Sequence, residues 1–271
     1  MASKRFHEAA AAYRAALHEA EARHENATQV SRILSALGVA EYRLGNMRKA
    51  KSCFLKAVRV LEDEGAPVEI AHLMNAGKIH LELGEGAQAE RCFRRALEVN
   101  PGSASLRHNL GQVFLMMEQY DKAEAQFRAA LALPEPDPST KTAVLSDLAS
   151  LLSRKGDRAG ATTAIEDALK SAPSGQARAR VLSNRASIQW RSGKRDQAEL
   201  DLRAAWREAE AAVGPSHPDL AEILREYAHF LKNSGRHKDA KQIAERASQI
   251  ESAFAPQTNS GRTTVDILDL K

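Results

Sequence analysis

Apolar and small residues recur along the chain at helical spacing, in blocks separated by short polar turns. The turns are Leu44-Gly45-Asn46, Leu83-Gly84-Glu85, Met117-Glu118-Gln119, Lys155-Gly156-Asp157, Ser192-Gly193-Lys194 and Ser234-Gly235-Arg236, at intervals of 39, 34, 38, 37 and 42 residues. Five residues after the centre of each turn stands an alanine: Ala50, Ala89, Ala123, Ala161, Ala198 and Ala240. Seven residues further stands another: Ala57, Ala96, Ala130, Ala168, Ala205 and Ala247. Between them lies a larger apolar residue, Phe54, Phe93, Phe127, Ile165 or Leu202, with the smaller Ala244 in the last block. Seven residues before each turn centre is a small residue: Gly38, Gly77, Gly111, Ala149, Ala186 and Ala228. Residues at i, i+4 and i+7 share one face of a helix. The pattern therefore predicts a helix on each side of every turn. The small residues mark where two helix backbones approach closely, and the larger one fills the space beside them. Glycine in the turn supplies the positive φ that ends the first helix. Pro101 and Pro173 stand at the exits of the second and fourth blocks, where proline cannot continue a helix.

This arrangement resembles the tetratricopeptide repeat, two antiparallel helices in ~34 residues. Asn109-Leu110-Gly111, Tyr120-Asp121-Lys122-Ala123 and Ala130-Leu131 carry the likeness most clearly. The resemblance implies an all-α fold, an α-α superhelix of about six helix pairs. The pairs would begin near Ser31, Ile70, Ala104, Thr142, Ala179 and Ala221 and cover residues 31–254. Within residues 1–30, Phe6–Ala22 reads as a lone second helix, with Ala9, Tyr13, Ala16 and Leu17 at the matching positions. The expectation is a chain that opens on half a repeat. Four departures stand out. Arg107 and Arg185 occupy places where an apolar residue is usual, Glu118 replaces the turn glycine, and Ala244 is small for its site.

The junctions differ. Ala212-Val213-Gly214-Pro215-Ser216-His217-Pro218-Asp219-Leu220-Ala221 is longer than the others and looks like the connector of kinesin light chain-type repeats. His217 reads there as a turn residue ahead of the Asp219 cap. Leu133-Pro134-Glu135-Pro136-Asp137-Pro138-Ser139 is either an ordinary inter-repeat loop or a hinge between two halves. Residues 255–271 read as a polar linker and a short tail. Its segment Thr263–Leu270 either frays, packs on the last helix or lies as a strand in a groove.

Composition narrows the function. With 43% hydrophobic residues the chain has enough apolar surface to fold, and with two cysteines it is no disulfide scaffold. No stretch approaches the ~20 apolar residues that span a bilayer, and Glu8 and Arg14 interrupt the alanine-rich start. The expectation is a reduced, cytoplasmic protein without membrane insertion. Lys+Arg number 39 and Asp+Glu 35, a net charge of +4 that is a weak field over 271 residues. With aromatics at 5%, this disfavours nucleic acid as a partner, although some helical repeats do read RNA.

Catalytic chemistry is not legible. The nine histidines are dispersed, and none stands in a zinc-binding pattern. Cys53 and Cys92 share one position in consecutive second helices and read as small packing residues. No phosphate-cradling loop or nucleophile elbow occurs. The expectation is a non-enzyme with neither cofactor nor metal.

A surface remains. In the tetratricopeptide family the concave face, lined by first helices, binds peptides or protein segments. Two residues before the small first-helix residue stand Asn75, Asn109, Asp147 and Asn184. Such side chains suit the donor and acceptor of a peptide backbone, or they serve contacts between repeats. Arg43, Lys78, His108, Gln112, Trp190 and Arg191 fall at neighbouring positions. They make the face mildly basic and imply a preference for acidic peptides, unless the long cations are simply solvated. Trp190 is a candidate anchor and Trp206 reads as core. The Lys-and-Asn clamp by which some relatives grip chaperone C-termini is not matched; the first two units offer Ser35 and Val39, then Met74 and Lys78. The resulting expectation is a protein-interaction scaffold binding a partner on its concave face. The alternative is a self-associating assembly protein, a homo-oligomer through its terminal helices.

Overall fold

The computed structural model describes residues 2–134 and 136–254, and all regular structure among them is α-helix. A lone helix α1 (Ala2–Ala22) precedes six antiparallel pairs: α2 (Ala27–Arg43) with α3 (Met47–Asp63), α4 (Ile70–Glu82) with α5 (Gly86–Val99), α6 (Ala104–Met116) with α7 (Tyr120–Leu131), α8 (Pro138–Lys155) with α9 (Arg158–Ser171), α10 (Gln176–Arg191) with α11 (Arg195–Val213), and α12 (Pro218–Asn233) with α13 (His237–Phe254). First helices α2, α8, α10 and α12 begin three or four residues ahead of Ser31, Thr142, Ala179 and Ala221. Local caps set these starts, among them Asn26, whose side chain accepts from Gln29 N, and Asp137, which accepts from Thr140 N. The tail segment Thr263–Leu270 lies outside the described residues, as does Glu135 in the proline-rich junction.

Each pair closes through one repeated device. The residue after the turn centre donates its N–H back to the carbonyl five positions earlier, at 2.8–2.9 Å: Asn46 to Glu41, Glu85 to His80, Gln119 to Phe114, Asp157 to Leu152, Lys194 to Gln189 and Arg236 to Leu231. This bond satisfies an orphaned carbonyl and requires a left-handed residue at the turn centre. Glycine fills that place in five turns. In the third, Glu118 adopts φ 57° instead.

The small-residue positions are seats for the larger ones sixteen residues later. A Cβ added to Gly38 would lie 2.6 Å from the Phe54 ring, and one on Gly77 would lie 2.8 Å from Phe93; at Gly111 the Phe127 ring is closer still. The rings thus rest on bare backbone. In the fourth and fifth pairs the seat is Ala149 or Ala186 and the occupant Ile165 or Leu202, all buried. In the sixth pair Ala228 faces Ala244, and a hollow of ≈ 360 Å³ lined mostly by alanines and lysine stems opens there. In the first five pairs seat and occupant vary in opposite senses, as close packing demands.

The main core runs without a break from α3 to α10, across the α7–α8 junction. Separate apolar clusters join α1 to α2 and knit the last two pairs. Two departures find their reasons here. Arg185 makes a bidentate pair with Asp201, 2.6 Å at both contacts, joining α10 to its partner helix, and Asp201 is only 6% exposed. Arg107 donates to the Pro101 carbonyl at the entry to its helix. On α1 Ala10 and Ala20 are buried, whereas Tyr13, at the place of the larger occupant, stands exposed, with no first helix before α1 among the described residues to seat it.

Two outcomes follow. Gly77→Ala should cost about 1–3 kcal/mol by overpacking, and clearly less in a Phe93→Leu background; additive losses in a thermal double-mutant cycle would break the seat assignment. Glu118→Gly removes roughly 1–2 kcal/mol of left-handed strain and adds back about half of that in unfolded-chain entropy. A small net gain in denaturant midpoint is expected.

Candidate partner-binding surface

From α4 onward each first helix touches the next first helix, while no two successive second helices approach as closely. The side on which neighbours are nearest is the inside of the curve. First helices therefore form the inner wall, and second helices the outer one.

Polar rungs cross the inner wall from helix to helix. Asn75 Nδ2 donates to Ser35 Oγ (3.3 Å), joining α4 to α2. Asn184 Nδ2 donates to Ser146 Oγ (2.7 Å), joining α10 to α8. Asp147 accepts from Gln112 Nε2 (3.0 Å) and contacts His108 Nε2 (2.8 Å), joining α8 to α6. Ser183 bonds Glu226 between α10 and α12. Of the four ladder residues, three are thus engaged in stacking. Asn109 differs: it is 7% exposed, and its Nδ2 is buried without a partner. The serines of these rungs were not singled out in the sequence, although Ser35, Ser146 and Ser183 each stand three residues before a small seat.

Between α2 and α4 the wall is closed by a buried histidine. His72 is 3% exposed, and each ring nitrogen lies 3.2 Å from a serine hydroxyl, Ser31 on one side and Ser35 on the other. A neutral imidazole satisfies both, donating at one nitrogen and accepting at the other. Burial holds its pKa below the ordinary value; Glu69 works against this shift and Arg32 with it.

The charges divide into spent and free. Arg32 pairs with Glu69 (2.8 Å), and Tyr42 donates to Glu82 (3.4 Å). Arg43, Lys78 and Arg191 stand exposed on first helices with no carboxylate paired to them among the described residues.

The inner wall opens between α10 and α12. α10 and α12 meet less closely than α8 and α10 do, and a pocket of ≈ 580 Å³ lies between them. Trp190 and Phe230 meet edge to face across it, 5.2 Å between ring centroids, and the Arg195 guanidinium lies 5.2 Å from the Trp190 ring. Arg191, Arg225, Glu222 and Glu226 surround the rings. The protein mass around Glu226, and then the like charge of Glu222, push its carboxyl upward. Trp190 and Arg191 therefore share one pocket, while Asn75 and Lys78 lie far along the wall from it. Trp206, on the outer side, is half-buried with its Nε1 unpartnered and Arg246 5.0 Å from its ring. Among the described residues no group of three or more His, Cys, Asp or Glu side chains is placed to hold a metal. No described helix is long and apolar enough to cross a membrane.

Three family models described as tetratricopeptide repeat match the chain, at residues 31–60, 68–135 and 178–219, together just over half of it. The chain is 29% identical over 121 residues to the anaphase-promoting complex subunit CDC16 of Saccharomyces cerevisiae; the match covers 44% of this chain and 14% of that protein. Among solved structures, a tetratricopeptide repeat protein from Parabacteroides merdae aligns with a TM-score of 0.62 at 18% identity, over 90% of this chain and 92% of that one. The Cut9–Hcn1 hetero-tetramer of the anaphase-promoting complex aligns with a TM-score of 0.61 at 11% identity, over 81% of this chain and 40% of that one. At these identities the structural likeness is one of fold.

The buried histidine generates a pH dependence. With its folded pKa lowered, the unfolded chain takes up the proton first. Its contribution is complete above pH 6.5, the ordinary value, and is lost as pH falls below it. Carboxylates held low, such as Glu41 and Glu199, act only below about 4.5. Thermal melts between pH 7 and 5 should therefore show a falling midpoint that His72→Gln flattens; an equal slope in both proteins would remove His72 from the account.

Proposed function

Because the chain belongs to the tetratricopeptide-repeat family, we propose that it is a protein-interaction scaffold holding a partner segment in the groove of its inner wall. The observation that carries the reading is the pocket between α10 and α12, where an apolar aromatic pair meets unpaired charge. Trp190 is half-buried over the buried Phe230, and tryptophan and arginine are enriched among the residues that anchor protein interfaces. The yeast relative, by its name a subunit of a multiprotein complex, supports a scaffold role.

The partner segment runs extended along the wall and places an apolar side chain against Trp190 and Phe230. Arg191, with Arg43 and Lys78 further along, favours acidic residues in it, since complementary charge sets orientation and association rate. Asn109 is the rung whose amide nitrogen has no partner in the free protein. The site performs recognition and no bond-making step.

Selection of a displayed random-peptide library on the full chain tests this. Selected peptides should pair an apolar anchor with acidic residues. Arg191→Glu, at an exposed unpaired cation, should weaken them about tenfold, some 1.4 kcal/mol, at an unchanged melting temperature. Trp190→Ala should weaken them further and cost some stability as well. Peptides that bind both variants as well as the wild type would place the partner elsewhere.

A further inference from the structure

A second groove lies on the outer side of the solenoid, away from the inner wall. It occupies ≈ 630 Å³ between α3 and α5, with α4 beneath. The floor is mainly apolar, made by buried Val58, Leu73 and Ala76 with buried His80, whose ring meets Glu85, and Leu55 is 38% exposed at its edge. The rims are cationic, Lys56 and Arg59 from α3 and Arg91 and Arg95 from α5. Arg95 is paired with Glu62 at 2.7 Å, the one carboxylate in the lining. Lys56, Arg59 and Arg91 are exposed and pair with no carboxylate among the described residues.

These cations are not a requirement of stacking. Counted from the turn, the places of Arg91 and Arg95 are held by Ser52 and Lys56 on α3, Ala125 and Ala129 on α7, Thr163 and Asp167 on α9, Leu200 and Ala204 on α11, and Gln242 and Arg246 on α13. Every other pair has a neutral residue at the place of Arg91, so that cation belongs to this groove alone among those positions, and the repeat folds without a cation at the place of Arg95 in three of the other five.

We propose that the outer groove between α3 and α5 is a second docking surface that takes an acidic amphipathic helix of a partner protein. A trough between two helices accepts the ridge of a third, and the 17 residues of α3 give it a length of about 25 Å. The apolar stripe of such a helix rests on Leu55 and Val58, and acidic residues on both flanks reach the two rims. The chemistry selects this occupant over other anions. Single-stranded nucleic acid binds through aromatic platforms, and no Phe, Tyr or Trp lines the groove. A membrane surface would touch the rims and leave the sunken apolar floor unused.

The test uses the full chain and a fluorescent peptide of about 18 residues, five helical turns, with leucine along one face and glutamate on both flanks. A second peptide replaces every glutamate by glutamine. The wild type should bind the acidic peptide at least about tenfold more tightly than the neutral one, with affinity falling as salt is raised. Lys56→Glu, Arg59→Glu and Arg91→Glu combined should abolish that preference while the melting temperature stays unchanged, since all three side chains are exposed and unpaired. Arg191→Glu should leave it intact, which separates this groove from the inner pocket. Failure to bind the acidic peptide, equal binding of the two peptides, or full binding by the triple variant would overturn the proposal. Tighter binding of a single-stranded oligonucleotide or of phosphatidylserine vesicles through the same three cations would also overturn it.

Discussion

The architecture depends on how closely two antiparallel helices can lie. A phenylalanine ring placed on a glycine backbone brings the helices of a pair together with the ring buried and no methyl between them. Phe93 on Gly77 shows the arrangement: the ring is 0% exposed, and the seat offers no room for even one carbon. The flanking alanines, Ala89 and Ala96, are equally buried because any longer side chain would lift the ring from its seat. Everything larger in scale follows. Fixed spacing within a pair sets the angle to the next pair, and the angle repeated sets the curvature that separates an inner from an outer wall.

The curvature sorts side chains by role. On the inner wall, successive first helices are near enough for short polar side chains to bridge them, so Asn75, Asp147 and Asn184 meet serine or amide partners one unit away. On the outer wall, second helices stand apart, and long cations line the troughs or span them, as Arg95 does to Glu62 and Arg246 to Glu210. One curved sheet of helices thus presents two kinds of surface: a tied polar lattice inside that opens at Trp190, and a charged trough outside.

Much of this was legible in the sequence, because turn, seat and occupant repeat at fixed offsets that only a helix pair satisfies. Family and helix order follow from those offsets. The placement of Trp190 and Arg191 side by side at the end of one helix could be read from the sequence; their shared pocket with Phe230 could not, since it depends on how far α12 stands from α10. The asparagine ladder was legible as a row but not as an occupied one. Whether Asn184 faces a ligand or Ser146 is decided by the distance between helices, which no single helix encodes. Arg185 read as a misfit until Asp201, sixteen residues on, supplied its counter-ion. His72 and Arg91 carried no periodic signal, because at its place each occurs in one unit only.

The sizes of the six seats form a series, from Gly beneath Phe in the first three units, through Ala beneath Ile or Leu, to Ala facing Ala at the end. The last seat alone lacks a large occupant, and the hollow left there shares His229 with the lining of the α10–α12 pocket. The aromatic pocket therefore borders the place where packing within a pair is least complete, and a side chain that filled the hollow would be felt at the pocket.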